Sequence, residues 1–324
     1  IACEQYESQK EELQKLVLQA VQDREERKKD QFMIVVYLIL LAVIQAVVEF
    51  LPVSSMGHLC ALEQLMGINH GTGLLLEAIL HLGTAAAIIF LFRKDLKKIA
   101  LELLGMFMDL IGNLNIYIYN KRTGKNLNYA RIVTGTYRKL GALLVISMIP
   151  TAILGFTGRR LALLAADSPI VPGIGFLLTG VLLLVTDLNK SGGKKGPKEA
   201  SYDSAMWIGI CQGLAVFPGI SRMGLTLCAA LLCGYNRKFA VRFSVFMSLP
   251  AIVGAFFTEI GNFGASEMTV GLGFAYVFAM VIAGFVGCLV IRSTVAMAQN
   301  MKLRYFAYYS FAVGIITLAL NFVL

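Results

Sequence analysis

Charge is scarce in this chain. Asp, Glu, Lys and Arg make up 15% of its 324 residues, against roughly 25% in soluble domains, and the mean hydropathy is +0.71. That excludes an ordinary soluble globular domain. No CxxC pair occurs among the six cysteines, Cys3, Cys60, Cys211, Cys228, Cys233 and Cys288, and most lie in apolar segments. This argues against zinc or a disulfide framework and for small buried hydrophobes. Histidine is absent after His81. The net charge of +9 raises the question of nucleic acid, but no soluble domain is evident that could carry a basic patch, so no nucleic-acid partner is expected.

What the chain has instead is long apolar runs. Residues 74–92, 139–157, 171–187, 239–258, 272–292 and 305–323 each approach the roughly 20 residues that a helix needs to cross a bilayer. Basic residues gather in the short loops between them: Arg93, Lys94, Lys97 and Lys98; Lys121, Arg122 and Lys125; Lys190, Lys194, Lys195 and Lys198; Lys302 and Arg304. That is the pattern that sets orientation, with basic loops on the cytoplasmic side. Residues 1–32 are polar and helical in pattern, lack the apolar stretch of a signal peptide and read as an extension outside the fold.

Two segments nearly repeat each other 167 positions apart. Residues 45–57 read QAVVEFLPVSSMG and residues 212–224 read QGLAVFPGISRMG. Gln, Phe, Ser, Met and Gly coincide, while Glu49 faces Val216 and Ser55 faces Arg222. Polar residues at the breaks of a duplicated apolar chain indicate a membrane protein whose site lies between two repeats. Residues 34–67, broken near Pro52–Gly57, read as two short helices forming a re-entrant hairpin, because broken backbone at membrane depth needs protein or a wet cavity around it. Residues 203–234 repeat the device at Pro218–Gly224.

The expected fold is therefore an all-α integral membrane protein, with six transmembrane helices plus two re-entrant helical hairpins in inverted-topology repeats. Repeat one covers 34–187 and repeat two covers 203–323, within a membrane domain of 33–324. A hairpin and three spans per copy is an odd number of crossings, so the second copy lies upside down. With 74–92 running outside to inside, the basic stretches 93–138, 188–202 and 293–304 fall inside, and 259–271, with Glu259 and Glu267, falls outside. Arg159 and Arg160 are the exception. The polar and aromatic insert 113–138 suits a membrane interface.

Ionisable groups at membrane depth are candidates for function. Here they are Glu49, His58, Glu63, Glu77, His81 and Arg222. Inverted packing brings the two breaks together. Arg222 offers a planar fork matched to phosphate oxygens. Gly57, Gly219 and Gly224 let backbone approach a ligand, and the helices that start after each break point N–H groups at an anion. Ser54, Ser55, Ser221 and Thr226 add neutral donors. Glu49 and His58 are surplus to binding phosphate and make sense as a base, a nucleophile or a metal ligand, which points to hydrolysis. Plainer roles compete. Pro52 and Pro218 break helices, Ser54 and Ser221 suit N-caps, and Gln45 and Gln212 could bond freed backbone. His81 reads as a satisfied buried histidine rather than a catalyst, Glu77 as lying near a span end, and Glu49 with Arg222 as a structural ion pair.

At these residues the chain resembles the undecaprenyl-diphosphate phosphatases, the bacitracin-resistance family of bacterial membranes. One motif is Gln45, Glu49, Phe50-Leu51-Pro52-Val53-Ser54-Ser55 and Gly57-His58; the other is Pro218, Gly219, Ser221, Arg222 and Thr226. The similarity spans about 33–324. It implies removal of one phosphate from undecaprenyl diphosphate, which recycles the lipid carrier for peptidoglycan synthesis and confers bacitracin resistance. It also implies a multi-pass protein of the bacterial cell (inner) membrane, homodimeric, with its site open to the outer, periplasmic face. Glu49, Ser55, His58 and Arg222 would form the catalytic set, with Gln45, Ser54, Gly219, Ser221 and Thr226 binding substrate. A divalent cation, Mg2+ or Ca2+, goes with the family, and Glu49 would be its ligand. Met223 stands where the second motif has Ser, and Gln45 weakens any two-carboxylate metal site. Three routes stay open: Ser55 as nucleophile with Glu49 or His58 as base, attack by His58, and water activated by Glu49 with a metal. The alternative from another class is a polyprenyl-phosphate or anionic-lipid transporter or flippase using the same pocket. A second known family of membrane phosphatases needs an SGH motif and a later histidine, and this chain has neither.

Overall fold

The computed structural model describes residues 33–66, 73–166, 168, 170–189, 192–260, 270–297, 300 and 302–323. The extension 1–32, His70, Lys190 and the part of the 259–271 loop that holds Glu267 lie outside the described residues, as do the side chains of Glu63 and Glu259. Ten helices make up the fold among the described residues: α1 (Met33–Glu49), α2 (Ser55–Met66), α3 (Gly73–Thr123), α4 (Thr136–Ala166), α5 (Ile170–Leu188), α6 (Tyr202–Leu214), α7 (Arg222–Leu232), α8 (Arg237–Ile260), α9 (Val270–Met297) and α10 (Leu303–Val323). Six of them, α3, α4, α5, α8, α9 and α10, are long and apolar enough to cross a membrane. The protein is a multi-pass, all-helical membrane protein. Many of its outward side chains are bare hydrocarbon, such as Phe156, Phe274 and Phe285, and helices are the form that satisfies backbone within lipid.

The short helices fall at the two expected breaks. α1 and α2 flank residues 50–54, and α6 and α7 flank residues 215–221. Packing between the halves is reciprocal. α3 lies on α9 as α4 lies on α8, and α5 lies on α10. α6, the first helix of the second half, packs on α4; α1 packs on α9 through a cluster that joins Tyr37, Leu41 and Ala42 to Tyr276, Ala279 and Ala283.

One expectation needs correction. The basic and polar stretch 93–138 is not a loop throughout. α3 passes through a single non-helical residue, Phe92 (φ −105°, ψ 18°), and runs on to Thr123. The residues after Phe92 include Leu101, Leu103, Leu104 and Leu110 among Lys and Glu, a helix-favouring mixture. Only 124–135 is irregular. Asp95, just past the kink, holds it by accepting hydrogen bonds from Arg242 of α8 (2.5 Å) and from Tyr137 of α4 (2.8 Å).

Candidate active site

Each break is finished by a serine cap. The Ser221 side chain accepts from the Gly224 amide at 3.0 Å, and the Ser54 hydroxyl accepts from the Gly57 amide at 3.3 Å. The caps satisfy amides that a helix start leaves open. They also make Ser55 the first residue of α2 and Arg222 the first residue of α7. To turn the chain, the first break uses Ser54 at φ +66° and the second uses Gly219 at φ +83°. The breaks touch: a Cβ on Gly57 would sit 2.7 Å from Gly219 Cα. Glycine at both positions is what lets them meet.

Glu49, the last residue of α1, is the centre of the site. Its side chain is 2% exposed, and both oxygens are engaged. Arg222 Nη2 donates to Oε1. Oε2 accepts from the Ser55 hydroxyl at 2.7 Å and from Gln45 Nε2 at 3.1 Å, and His81 Nε2 lies 3.2 Å away. His81 Nδ1 lies 2.8 Å from the Glu77 carbonyl oxygen. Both ring nitrogens of His81 thus face oxygen acceptors, the arrangement of a doubly protonated ring. Two cationic groups and a hydroxyl therefore surround one buried carboxylate. The Arg222 side chain is 21% exposed, so the guanidinium meets solvent or ligand while Glu49 does not.

His58 stands in different company. Its Nδ1 lies 2.6 Å from the Ser54 carbonyl and its Nε2 lies 2.7 Å from the Tyr309 hydroxyl of α10. A carbonyl can only accept, so Nδ1 donates, and in the neutral ring Nε2 then accepts from the Tyr309 hydroxyl. The ring meets Phe176 edge-on at 4.9 Å and lies parallel to Tyr309 at 5.6 Å.

Glu49, Ser55, Arg222 and Gln45 are thus brought together, with Ser54, Ser221 and Gly219 forming the turns beneath them. His58 sits one turn into α2, and its ring nitrogens meet Ser54 and Tyr309 rather than Ser55 or Glu49. Thr226 lies deeper, 1% exposed, and donates to the Arg222 carbonyl at 2.9 Å. Its proton therefore serves its own helix. Met223 is buried in the apolar core. Gln212 donates to the Met247 carbonyl at 3.2 Å, a backbone partner as its sequence position allowed.

Three contributors stand out beyond the sequence reading. His81, read as core, reaches Glu49. Its signal was there, as an ionisable residue inside an apolar run. Tyr309 had none, since α10 reads as an ordinary span. Thr179 of α5 donates to the Gly219 carbonyl and accepts from the Ser221 amide, both at 3.0 Å, and nothing local in sequence marks it. A divalent metal fits these residues poorly. The oxygens of Glu49 already accept from an arginine and a serine, and no group of three or more His, Cys, Asp or Glu among the described residues could hold a metal ion.

A cation beside a hydroxyl that donates to a buried carboxylate can bind an anion and activate the hydroxyl toward it. Residues 38–316 match the family described as bacitracin resistance protein BacA. A protein of Alkaliphilus metalliredigens named undecaprenyl-diphosphatase is 36% identical over 285 residues, 86% of this chain and 96% of the relative. Proteins of the same name from Methanosphaera stadtmanae and Desulfatibacillum aliphaticivorans are each 34% identical over 286 residues, 88% of this chain and 98% of the relative. With both breaks, five of the six spans and most of α10 inside the matched region, the chain belongs to the BacA family of bacitracin resistance proteins.

Proposed function

We propose that this chain hydrolyses undecaprenyl diphosphate to undecaprenyl phosphate and inorganic phosphate. The observation that carries the reading is the Ser55 hydroxyl donating at 2.7 Å to Glu49, with Arg222 on the other carboxylate oxygen. Arg222 keeps further N–H groups for phosphate oxygens and stabilises charge on the transferring group. Ser55 Oγ attacks the terminal phosphorus, its proton passes to Glu49 Oε2, and the bond to the bridging oxygen breaks. Undecaprenyl phosphate leaves. Water then displaces Ser55 from phosphorus, the serine oxygen takes back the proton from Glu49, and phosphate departs with the protons of the water. His81 keeps Glu49 in place throughout, and no step runs through a metal.

On this reading the two halves are inverted repeats, the polyprenyl tail lies among the spans and the pocket opens to the outer face. The reaction returns the lipid carrier to peptidoglycan synthesis and underlies bacitracin resistance. A carrier that moves the lipid would use Arg222 but has no need for a serine aimed at a buried carboxylate. The test is phosphate release from undecaprenyl diphosphate by the purified protein in detergent, with and without EDTA, beside Ser55→Ala and Arg222→Ala. Release by the parent that is lost in both variants supports the reading. No release from folded protein supplied with magnesium or calcium would overturn it.

A further inference from the structure

Beyond Phe92, α3 leaves the bundle as an arm reaching Thr123, roughly 45 Å of helix at 1.5 Å per residue. One side of it is tied down. Arg138 of α4 donates to Glu102 at 2.9 Å and to Asp109 at 2.5 Å. Asn113 and Asn120, on the same side, exchange hydrogen bonds with the backbone of Ala130 and Leu127. The opposite side is apolar and bare. Leu104, Phe107, Met108, Ile111, Leu114 and Ile118 are all exposed and recur at helical spacing along one stripe. In the corner between arm and α4 is a cavity of about 260 Å³, lined only by apolar residues, with Leu103, Met106 and Leu110 on one wall and Ala142, Val145 and Ile146 on the other.

Charge shows what covers this stripe. The acids of the arm are spent, Asp95 on Arg242 and Glu102 and Asp109 on Arg138. Arg93, Lys94 and Lys97 at the near end, and Lys121, Arg122 and Lys125 around the far end, face no carboxylate among the described residues. Lys121 and Lys125 instead lie over the rings of Tyr117 and Tyr119. An apolar stripe with unpaired cations at both ends and Tyr at one is the pattern of a helix lying in the headgroup layer of a membrane.

We infer that the 93–123 arm lies along the surface of the membrane that holds the bundle. Its apolar stripe is sunk among the acyl chains, one chain enters the corner against α4, and its basic ends bind anionic headgroups. The inference is independent of the catalytic reading.

A fluorescent reporter tests it. The chain has one tryptophan, so Phe107→Trp in a Trp207→Phe background places a single probe on the stripe. The full-length protein goes into nanodiscs of phosphatidylcholine, with or without phosphatidylglycerol, each with plain or chain-brominated lipid. Bromine should quench the probe, by about twofold or more where anionic lipid is present. Lys121→Glu, Arg122→Glu and Lys125→Glu together should abolish the extra quenching that phosphatidylglycerol brings. An unquenched, red-shifted probe would put the stripe in water, and an unquenched, blue-shifted probe would put it against a second copy; either overturns the inference. Quenching that ignores both the anionic lipid and the charge reversal overturns the headgroup assignment.

Discussion

The two breaks share a plan and differ in what satisfies them. In the second, backbone is served by its neighbours: Thr179 clasps Gly219 and Ser221, Gln212 bonds the Met247 carbonyl, and glycine takes the positive φ. In the first, the corresponding glutamine bonds a carboxylate, and a serine takes the positive φ, at a cost of about 1 kcal/mol or more. There Gln45, Ser55 and Glu49 turn toward each other, while Ser54 caps its helix as Ser221 does. The second break is built to hold its shape and to lend one cation. The first gathers the side chains that the proposed reaction uses.

Substitutions should therefore separate into losses of activity at the first break and at Arg222, and losses of stability at the rest of the second. The largest effects fall on the reacting pair. Glu49→Gln and Ser55→Ala should each lower phosphate release by about 10³-fold, with the thermal midpoint in detergent showing that the protein still folds. A Ser55→Ala enzyme that kept about a tenth of its rate would transfer the attack to His58 or water. Arg222→Lys keeps the charge but loses the fork, and should cost about 10²-fold. If Arg222 only stabilised the fold, the midpoint would fall and the rate of the folded fraction would not. His81→Leu should cost about tenfold, and His81→Gln, which can still donate to Glu49, should recover most of it. Recovery by Leu as well would make His81 mere packing. At the second break, Thr179→Val should leave the rate within about threefold while destabilising the protein by about 1–3 kcal/mol, because it orphans a buried amide and a buried carbonyl. Smallest in rate is Met223→Ser. Restoring the family hydroxyl should change release by less than about twofold, because the side chain lies in the core, where an unpaired hydroxyl costs about 1–3 kcal/mol.

Much of the first break was legible in sequence because its polar residues stand out against apolar neighbours. Glu49, Ser55 and Arg222 could be picked as one site from the repeat alone, since aligned breaks in an inverted fold must meet. The six spans were legible for the same reason, because lipid forces hydrocarbon outward over a fixed length. Two kinds of feature were not. Thr179 and Tyr309 act through pairings with |i−j| of 42 and 251, and a lone hydroxyl within a span has no local pattern to betray its partner. The helical course of 93–123 was missed because Lys, Arg and Asn among its leucines read as loop, although each is compatible with a helix whose one face is bonded and the other bare.

The wide separation of Glu49 and Arg222 also has a meaning in time. They are 173 residues apart, and at about 5–20 residues per second a ribosome takes roughly 9–35 s to supply the arginine after the glutamate. His81, in α3, follows Glu49 with only α2 between them, a matter of roughly 2–6 s. During synthesis it is the first cation to reach a carboxylate already committed to the membrane. Glu49 can thus meet His81 well before Arg222, which arrives only with the second half of the chain.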